Sequence, residues 1–249
     1  MEPATTISCV FIAIAVGIAI TTLVVLRRVR LEVESRYRRT EAWVAIHAIL
    51  GPRAPLGPTG AWVASPELLH ELMVLIFETR PQRIVELGSG MSTVVCAYAL
   101  QKLGAGGTVV SLDHEPRFAE ITRRKLIQHG LEGVASVVDA PLCATSPELG
   151  GLPWYDVPAE AVSEPIDLLV VDGPPGGGNA LTRFPALPAL RRHLSPGAVI
   201  VVDDAKRPGE QEIVRRWHAQ APEFSVEQRC TEKGTAILRR LTGTKAPVR

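Results

Sequence analysis

The groups in this chain that could do chemistry are acidic residues set beside glycines. The first lie in Arg83-Ile-Val-Glu-Leu-Gly-Ser-Gly-Met-Ser-Thr93. Gly88 and Gly90 permit a sharp turn and a close approach of backbone to a ligand. Glu86 and Ser89 flank them as polar partners. A helix opening at Ser92 or Thr93 would aim its free N–H groups at the same point. Such a turn suits a nucleotide-like cofactor. The dinucleotide fingerprint G-x-G-x-x-G is not met, because its third position is Thr93.

More acids follow. Asp113-His114-Glu115 comes about 23 residues after Gly90, close to the spacing of about 20 at which a carboxylate accepts from ribose hydroxyls. Asp113 could equally cap a helix before Pro116. Asp139-Ala140 could meet an adenine amino group or cap a turn. Asp172 and the pair Asp203-Asp204 need a separate account. Three converging carboxylates repel one another unless a cation lies among them. Lys206 or Arg207 could fold back to supply it. A hard divalent cation such as Mg²⁺ would do so more fully, since every ligand is oxygen. Alternatively, only Asp172 and one of the pair face that point, touching cofactor or water.

The elements that must position these residues alternate. Ser65-Pro66 opens a helix whose Leu68, Leu69, Leu72, Leu75 and Ile76 recur at helical spacing. Strands are predicted over 84–87, 108–112, 134–138, 166–171 and 198–202, with helices over 93–103, 116–129, 181–194 (interrupted by Pro185 and Pro188) and 209–219. Strands over 224–229 and 235–240 close the chain as an antiparallel edge. Apolar runs such as Ile166–Val171 are expected of strands covered on both faces. The alternation predicts an α/β, doubly wound, mostly parallel sheet, with ligands outside the carboxyl ends of the strands. Glu86, Asp113, Asp139, Asp172 and Asp203-Asp204 all fall at such ends.

Ahead of this domain, Ile7–Leu26 is an uncharged run followed by Arg27, Arg28 and Arg30, then Arg36, Arg38 and Arg39. About 20 apolar residues span a bilayer, and the arginines predict a cytoplasmic flank. The expectation is a single-pass membrane anchor with the C-terminal bulk in the cytoplasm. Residues 27–50 read as a helix with Trp43, Ile46 and Ile49 as an apolar stripe. Gly51–Gly60 reads as a Pro/Gly linker. The net charge of +1 gives no reason to expect a nucleic-acid partner. Four scattered cysteines argue against a disulfide framework or a cysteine zinc site.

Between Ser65 and Arg240, the motifs Val85-Glu-Leu-Gly-Ser-Gly90, Leu112-Asp-His-Glu115, Asp167-Leu-Leu-Val-Val-Asp-Gly173 and Ile200-Val-Val-Asp-Asp204 occur in order. In this the chain resembles the class I S-adenosylmethionine-dependent methyltransferases. The resemblance implies their seven-stranded sheet and a domain over 61–241, after an anchor (1–26) and a basic helix with linker (27–60), and before a tail (242–249). It implies a cofactor site of Glu86, Gly88, Ser89, Gly90, Asp113, His114, Asp139, Ala140 and Asp172. Gly88 and Gly90 would lie beside the methionine part, Asp113 on the ribose, and Asp139 with Ala140 near adenine. The strand-end Asp172 and Asp203-Asp204 are further similar to the metal-dependent O-methyltransferases, of catechol and macrolide-sugar type. This implies Mg²⁺ or a similar ion on Asp172, Asp203 and Asp204, holding two oxygens of a diol.

Where the catechol enzymes carry a general-base Lys, this chain has Pro175. Asp172 and His114 are the catalytic candidates, with His193 and Lys206 as further possible bases. Residues Pro141–Pro165 and the turn Pro174–Asn179 are expected to frame the acceptor pocket. The predicted function is methyl transfer to a hydroxyl of a small-molecule or lipid-linked acceptor. A cofactor-binding domain without chemistry and a nicotinamide-dependent oxidoreductase are the competing readings. The missing third glycine and the lack of a Tyr-x-x-x-Lys pair count against the latter.

Overall fold

The computed structural model of the chain describes residues 3–57, 64–149, 151–176 and 178–241; at 3–10, 12, 13 and 148 it describes the backbone alone. The chain divides into two compact units, Met1–Glu41 and Ala42–Arg249.

The first unit is built on helix α1, which runs Pro3–Leu50 and so extends into the second. Arg30 meets Glu34 and Arg36 meets Glu32, each at 2.8 Å and one turn apart. Such exposed pairs add little. Among the described residues, no helix is long and apolar enough to cross a membrane. This overturns the predicted anchor over 7–26, and with it the single-pass membrane localisation and the membrane as a partner. Side chains at Ile7–Val10, Ile12 and Ala13 lie outside the described residues, as do 58–63 of the predicted linker and its downstream flank, and the predicted tail 242–249. The preference for a lipid-linked acceptor rested on the anchor and falls with it.

In the second unit, the last turns of α1 bury Ala42, Ile46 and Leu50, one turn apart. Of the predicted stripe, Ile46 is buried and Trp43 packs against the core, whereas Ile49 is 41% exposed. Leu56 packs into the core at 3% exposure. Helix α2 (Pro66–Thr79) starts as the sequence predicts: Ser65 Oγ accepts from the Leu68 N–H at 3.2 Å, and Pro66 takes the first helical position.

Strands and helices then alternate: β1 (Arg83–Leu87), α3 (Met91–Leu103), β2 (Thr108–Asp113), α4 (Pro116–Gln128) and β3 (Ala135–Asp139). A short antiparallel hairpin follows, β4 (Leu142–Cys143) with β5 (Trp154–Tyr155). Next come β6 (Ile166–Val171), α5 (Ala186–Leu190), β7 (Leu194–Asp203), α6 (Pro208–Gln220), β8 (Phe224–Arg229) and β9 (Thr235–Arg240). The main sheet has seven strands in the order β3-β2-β1-β6-β7-β9-β8. Five are parallel, and β9 pairs antiparallel with both β7 and β8. The predicted doubly wound sheet with its reversed edge is what forms.

Alternate residues of the central strands feed two cores. Ile84, Leu168, Val170, Val199 and Val201 join the layer with α2 and α3. Val85, Leu169, Val171, Ile200 and Val202 join the layer with Trp154 and Trp217. Burial on both faces is why these segments read as unbroken apolar runs. The predicted helix 181–194 shrinks to the five residues of α5, which starts directly after Pro185 and holds Pro188 in its first turn, where a missing N–H costs no helical bond. Register aligns the strand ends: Leu87 lies opposite both Leu112 and Val171, Asp113 opposite Asp139, and Val171 opposite Val202. The acids that follow these strands therefore arrive at one edge.

Candidate active site

At the end of β1 the chain turns through Gly88, whose φ of +95° lies in the region that favours glycine. A Cβ there would also meet the Asp172 carbonyl carbon and oxygen at 3.3 Å. The turn is clasped on both sides: Gly88 N–H donates to Leu112 O at 2.8 Å, and Asp172 N–H to Leu87 O at 3.0 Å. A Cβ on Gly90 would meet nothing within 4 Å, so that side of the turn is open.

Glu86 sits beneath the turn, fully buried. It accepts from Thr93 Oγ1 at 2.5 Å and from the Ser111 hydroxyl. Thr93 Oγ1 in turn accepts the Gly90 N–H at 3.0 Å. Burial raises the Glu86 pKa, and hydrogen bonds to Ser111 and neighbouring hydroxyls oppose that rise. Glu86 therefore pins the start of α3 from below. Thr93, which breaks the dinucleotide fingerprint, is the link between that carboxylate and the glycine turn.

Asp113 faces the same turn. Its Oδ2 accepts from Ser89 N–H at 3.1 Å and Ser89 Oγ at 2.6 Å, and its Oδ1 accepts from Glu115 N–H at 3.0 Å. His114 packs edge-on to Tyr155, with ring centroids 6.1 Å apart. Its Nδ1 is buried without a hydrogen-bond partner among the described residues. Asp139 sits further out, half-exposed and paired with Arg123 at 2.9 Å. Ala140 is buried and donates its N–H to Asp113 O at 2.8 Å. Lys206 and His193, named from sequence as possible bases, are otherwise engaged. Lys206 Nζ donates to the carbonyls of Thr231 and Glu232 at 2.7 and 2.8 Å, and His193 Nε2 accepts from Arg192 Nε at 2.9 Å.

The ends of β6 and β7 bring Asp172, Asp203 and Asp204 together, with one carboxylate oxygen from each lying within 4.8 Å of the others. Asp204 holds a left-handed φ of 61°, uncommon for a residue with a Cβ. A buried cation that the sequence did not single out reaches two of these carboxylates. Arg183, 4% exposed, donates to Asp172 Oδ1 at 3.3 Å, to Asp204 Oδ2 at 3.1 Å, and to the carbonyls of Asp172 and Asp203 at 3.0 and 3.1 Å. Arg207 does fold back, reaching Asp204 Oδ2 at 2.9 Å, and Glu210 lies 3.7 Å from Arg183. Lys206 does not join them. Burial opposes the Arg183 charge, but Asp172, Asp204 and Glu210 outweigh it and raise its pKa.

Even so, both carboxylate oxygens of Asp203 and Oδ1 of Asp204 are buried without a partner among the described residues. Burial, then the Asp204 carboxylate, lifts the Asp203 pKa to about 6. Burial, then Asp203, raises that of Asp172 well above the carboxylate range. Unpartnered buried carboxylate oxygens are costly, and an oxygen-only set at this spacing fits a hard divalent cation, whose ligands sit about 2.0–2.6 Å away.

Sequence reasoning also missed Tyr155, carried by the β4–β5 hairpin. It is 2% exposed, and its hydroxyl has no hydrogen-bond partner among the described residues. It lies against Gly173, where a Cβ would strike the Tyr155 hydroxyl and come within 3.1 Å of Leu87 O. Burial raises the phenol pKa well above its ordinary value, so the O–H keeps its proton. No spacing rule would have found Tyr155, because a two-residue strand inside a Pro/Gly-rich loop leaves no periodicity.

Comparisons with known proteins point to methyltransferases. Residues 85–205 match a family model described as a methyltransferase domain. Catechol O-methyltransferase of Mycobacterium tuberculosis is 31% identical over 140 residues, covering 55% of this chain and 54% of that protein. The chain thus spans about half the length of the curated relative it matches. Among solved structures, an O-methyltransferase from Bacillus cereus in complex with SAH has a TM-score of 0.53 at 19% identity, covering 81% of this chain and 89% of that one. TomG, an O-methyltransferase from Streptomyces achromogenes in complex with SAM, has a TM-score of 0.52 at 22% identity, covering 72% and 81%. The resemblance to class I S-adenosylmethionine-dependent methyltransferases is borne out.

Proposed function

We propose that this chain is an S-adenosylmethionine-dependent O-methyltransferase acting on a hydroxyl of a small-molecule acceptor, with a divalent cation on Asp172, Asp203 and Asp204. The observation that carries the reading is the meeting, at one sheet edge, of the glycine turn, Asp113 and three carboxylates, of which both Asp203 oxygens and Asp204 Oδ1 are buried without a hydrogen-bond partner among the described residues. The match to a methyltransferase domain and the O-methyltransferases among its relatives support it. Neither competing reading draws support from them.

The donor, when bound, supplies a methyl group already activated by a sulfonium: its C–S bond breaks, a C–O bond forms, and the hydroxyl proton leaves. The protein's task is then mainly alignment. Gly88 and Gly90 leave room for the methionine part, and Ser89, held by Asp113, fixes the turn. Asp113 and His114 line the nucleoside side, with Asp139 and Ala140 at its outer end. The cation, when bound, would lower the pKa of the acceptor hydroxyl and fix its direction. Asp172, Asp203 and Asp204 would hold it, while Arg183 locks the Asp172 and Asp204 carboxylates in place. Pro175 stands where the catechol enzymes place a base. His114, whose Nδ1 makes no hydrogen bond among the described residues and lies 3.8 Å from Asp113 Oδ1, is the remaining candidate to receive the hydroxyl proton.

Calorimetric titration of the full chain with S-adenosylmethionine, with Mg²⁺ and then with EDTA, tests this. Saturable donor binding, plus an Mg²⁺-dependent heat that Asp172→Asn removes while donor affinity stays within about threefold, is expected. Absence of donor binding would end the methyltransferase reading. An Asp172→Asn variant with unchanged Mg²⁺ response would end the metal assignment.

A further inference from the structure

The β4–β5 hairpin carries a phenol into the middle of the edge where the strands end. We infer that the Tyr155 hydroxyl is kept unpaired for the methyl donor, and that it gives its hydrogen bond to the nucleoside part of S-adenosylmethionine. The inference rests on the methyltransferase reading and adds a residue to its donor site.

Three strand ends meet along this side chain. Tyr155 pairs with Leu142, and Asp156 N–H donates to Pro141 O at 2.9 Å, so the hairpin is tied to the chain directly after Asp139-Ala140. Its ring stands edge-on to His114, at 79° and 6.1 Å between centroids, beside the end of β2. The hydroxyl lies against Gly173, just past the end of β6. The phenol therefore runs from β3, past β2, to β6. Asp139, Ala140, Asp113 and His114, the residues given to the nucleoside, lie at the first two of these ends. Of the carboxylates around the hydroxyl, Asp113 acts on it most strongly, ahead of Asp172 and Glu86. The hydroxyl thus belongs to the nucleoside side of the edge more than to the acidic cluster.

The chemistry of the group fits that place. Tyr155 is 2% exposed, and its hydroxyl has no hydrogen-bond partner among the described residues. Burial and the surrounding carboxylates keep the proton on the oxygen, so the phenol is available as a donor. A buried donor left unpaired is costly, and Phe would fill the same slot without that cost. A nucleoside supplies the missing acceptors in its ring nitrogens and ribose oxygens. Asp113 does the opposite task, accepting from ribose hydroxyls. Tyr155 and Asp113 then hold one nucleoside as donor and acceptor from different strand ends. Gly173 leaves the hydroxyl its place, since a Cβ there would fall on it.

The test is calorimetric titration of the full chain with S-adenosylhomocysteine and with 5′-methylthioadenosine, which keeps the nucleoside and lacks the amino-acid part. Tyr155→Phe should weaken both ligands by the same factor, about three- to tenfold. The Tm of the ligand-free variant should stay level or rise, since the unpaired donor is gone. Trp154→Phe removes the hairpin's other unpartnered donor and should leave both affinities unchanged. Wild-type affinity of Tyr155→Phe for both ligands would overturn the inference. So would a loss for S-adenosylhomocysteine alone, or a wild-type chain that takes S-adenosylhomocysteine but not 5′-methylthioadenosine, because either puts the binding on the amino-acid part. An equal loss in Trp154→Phe, or a lower Tm for ligand-free Tyr155→Phe, would mark a structural role and overturn it as well. All of these leave the methyltransferase reading standing. Failure of S-adenosylhomocysteine to bind the wild-type chain would remove that reading, and this inference with it.

Discussion

Replacing Arg183 by Met tests whether the acidic cluster is held together from within the protein. The substitution keeps length and apolar bulk but removes a buried guanidinium that reaches Asp172 Oδ1 at 3.3 Å and Asp204 Oδ2 at 3.1 Å. It also strips a donor from the carbonyls of Asp172 and Asp203. Breaking a buried ion pair by removing one partner costs about 3–5 kcal/mol. Two circumstances pull the figure to the lower end. Asp204 keeps Arg207 at 2.9 Å, and Asp172, whose pKa is already raised, can take up a proton instead of staying charged. We expect a loss of about 3 kcal/mol at pH 7, or roughly 6–12 °C in Tm for a unit of this size.

Urea unfolding at pH 7 and pH 5 is the assay. The loss should shrink at pH 5, where protonation relieves the repulsion. Mg²⁺ at pH 7 should recover part of it, since a cation among the same oxygens does the work of the missing one. Arg183→Lys keeps the charge without the fork and should fall between. A loss below about 1 kcal/mol at pH 7, or the same loss at both pH values, would refute the view that Arg183 compensates these carboxylates.

Three further outcomes follow from the same contacts. Asp203, lifted from the ordinary 3.8 to about 6, favours the protonated folded state. Its stabilising contribution is therefore full below about pH 4 and fades as pH rises through 6. The wild-type urea midpoint in EDTA should fall across that window, and Mg²⁺ should flatten the fall. Gly173→Ala drives a methyl group into the Tyr155 hydroxyl and should cost about 1–3 kcal/mol. Combining it with Tyr155→Phe should recover part of that loss in a thermal melt, and a purely additive double variant would show that the two do not meet. Thr93→Val deletes the bridge between Glu86 and the Gly90 N–H. It should cost about 1–3 kcal/mol and weaken donor binding in calorimetry, whereas a variant with wild-type affinity would separate that bridge from the site.

Much of the scaffold was legible from patterning alone. Apolar runs at Ile84–Leu87, Ile166–Val171 and Ala198–Val202 mark strands covered on both faces, and the acids after them reach one edge because parallel register levels the strand ends. The glycine turn was legible because Gly88 is required both by its φ and by the Asp172 backbone behind it. Arg183 was not. It lies in a stretch the sequence reads as helix, whereas residues 180–185 form turns ahead of α5, and from there Arg183 reaches Asp172 and Asp204. Tyr155 was not, because the hairpin bearing it is too short to leave a period. The N-terminal run misled as well: it was read from uncharged letters alone, and among the described residues no helix is long and apolar enough to cross a membrane.

The last turns of α1 bear on how the protein can be cut. A glycine- and proline-rich stretch invites a fragment that starts after it, near residue 60. Such a fragment would discard Ile46, Leu50 and Leu56, which are at most 6% exposed in the second unit. It would also discard Arg53, whose guanidinium bonds the His129 and Gly130 carbonyls at 2.7 and 3.0 Å and whose N–H donates to the Tyr98 hydroxyl at 2.8 Å. At roughly 1.5–3 kcal/mol for each large apolar side chain, that omission rivals the whole margin by which most domains stay folded. A stable recombinant fragment should therefore begin ahead of Ala42, and a shorter one that precipitates would say nothing about the proposed activity.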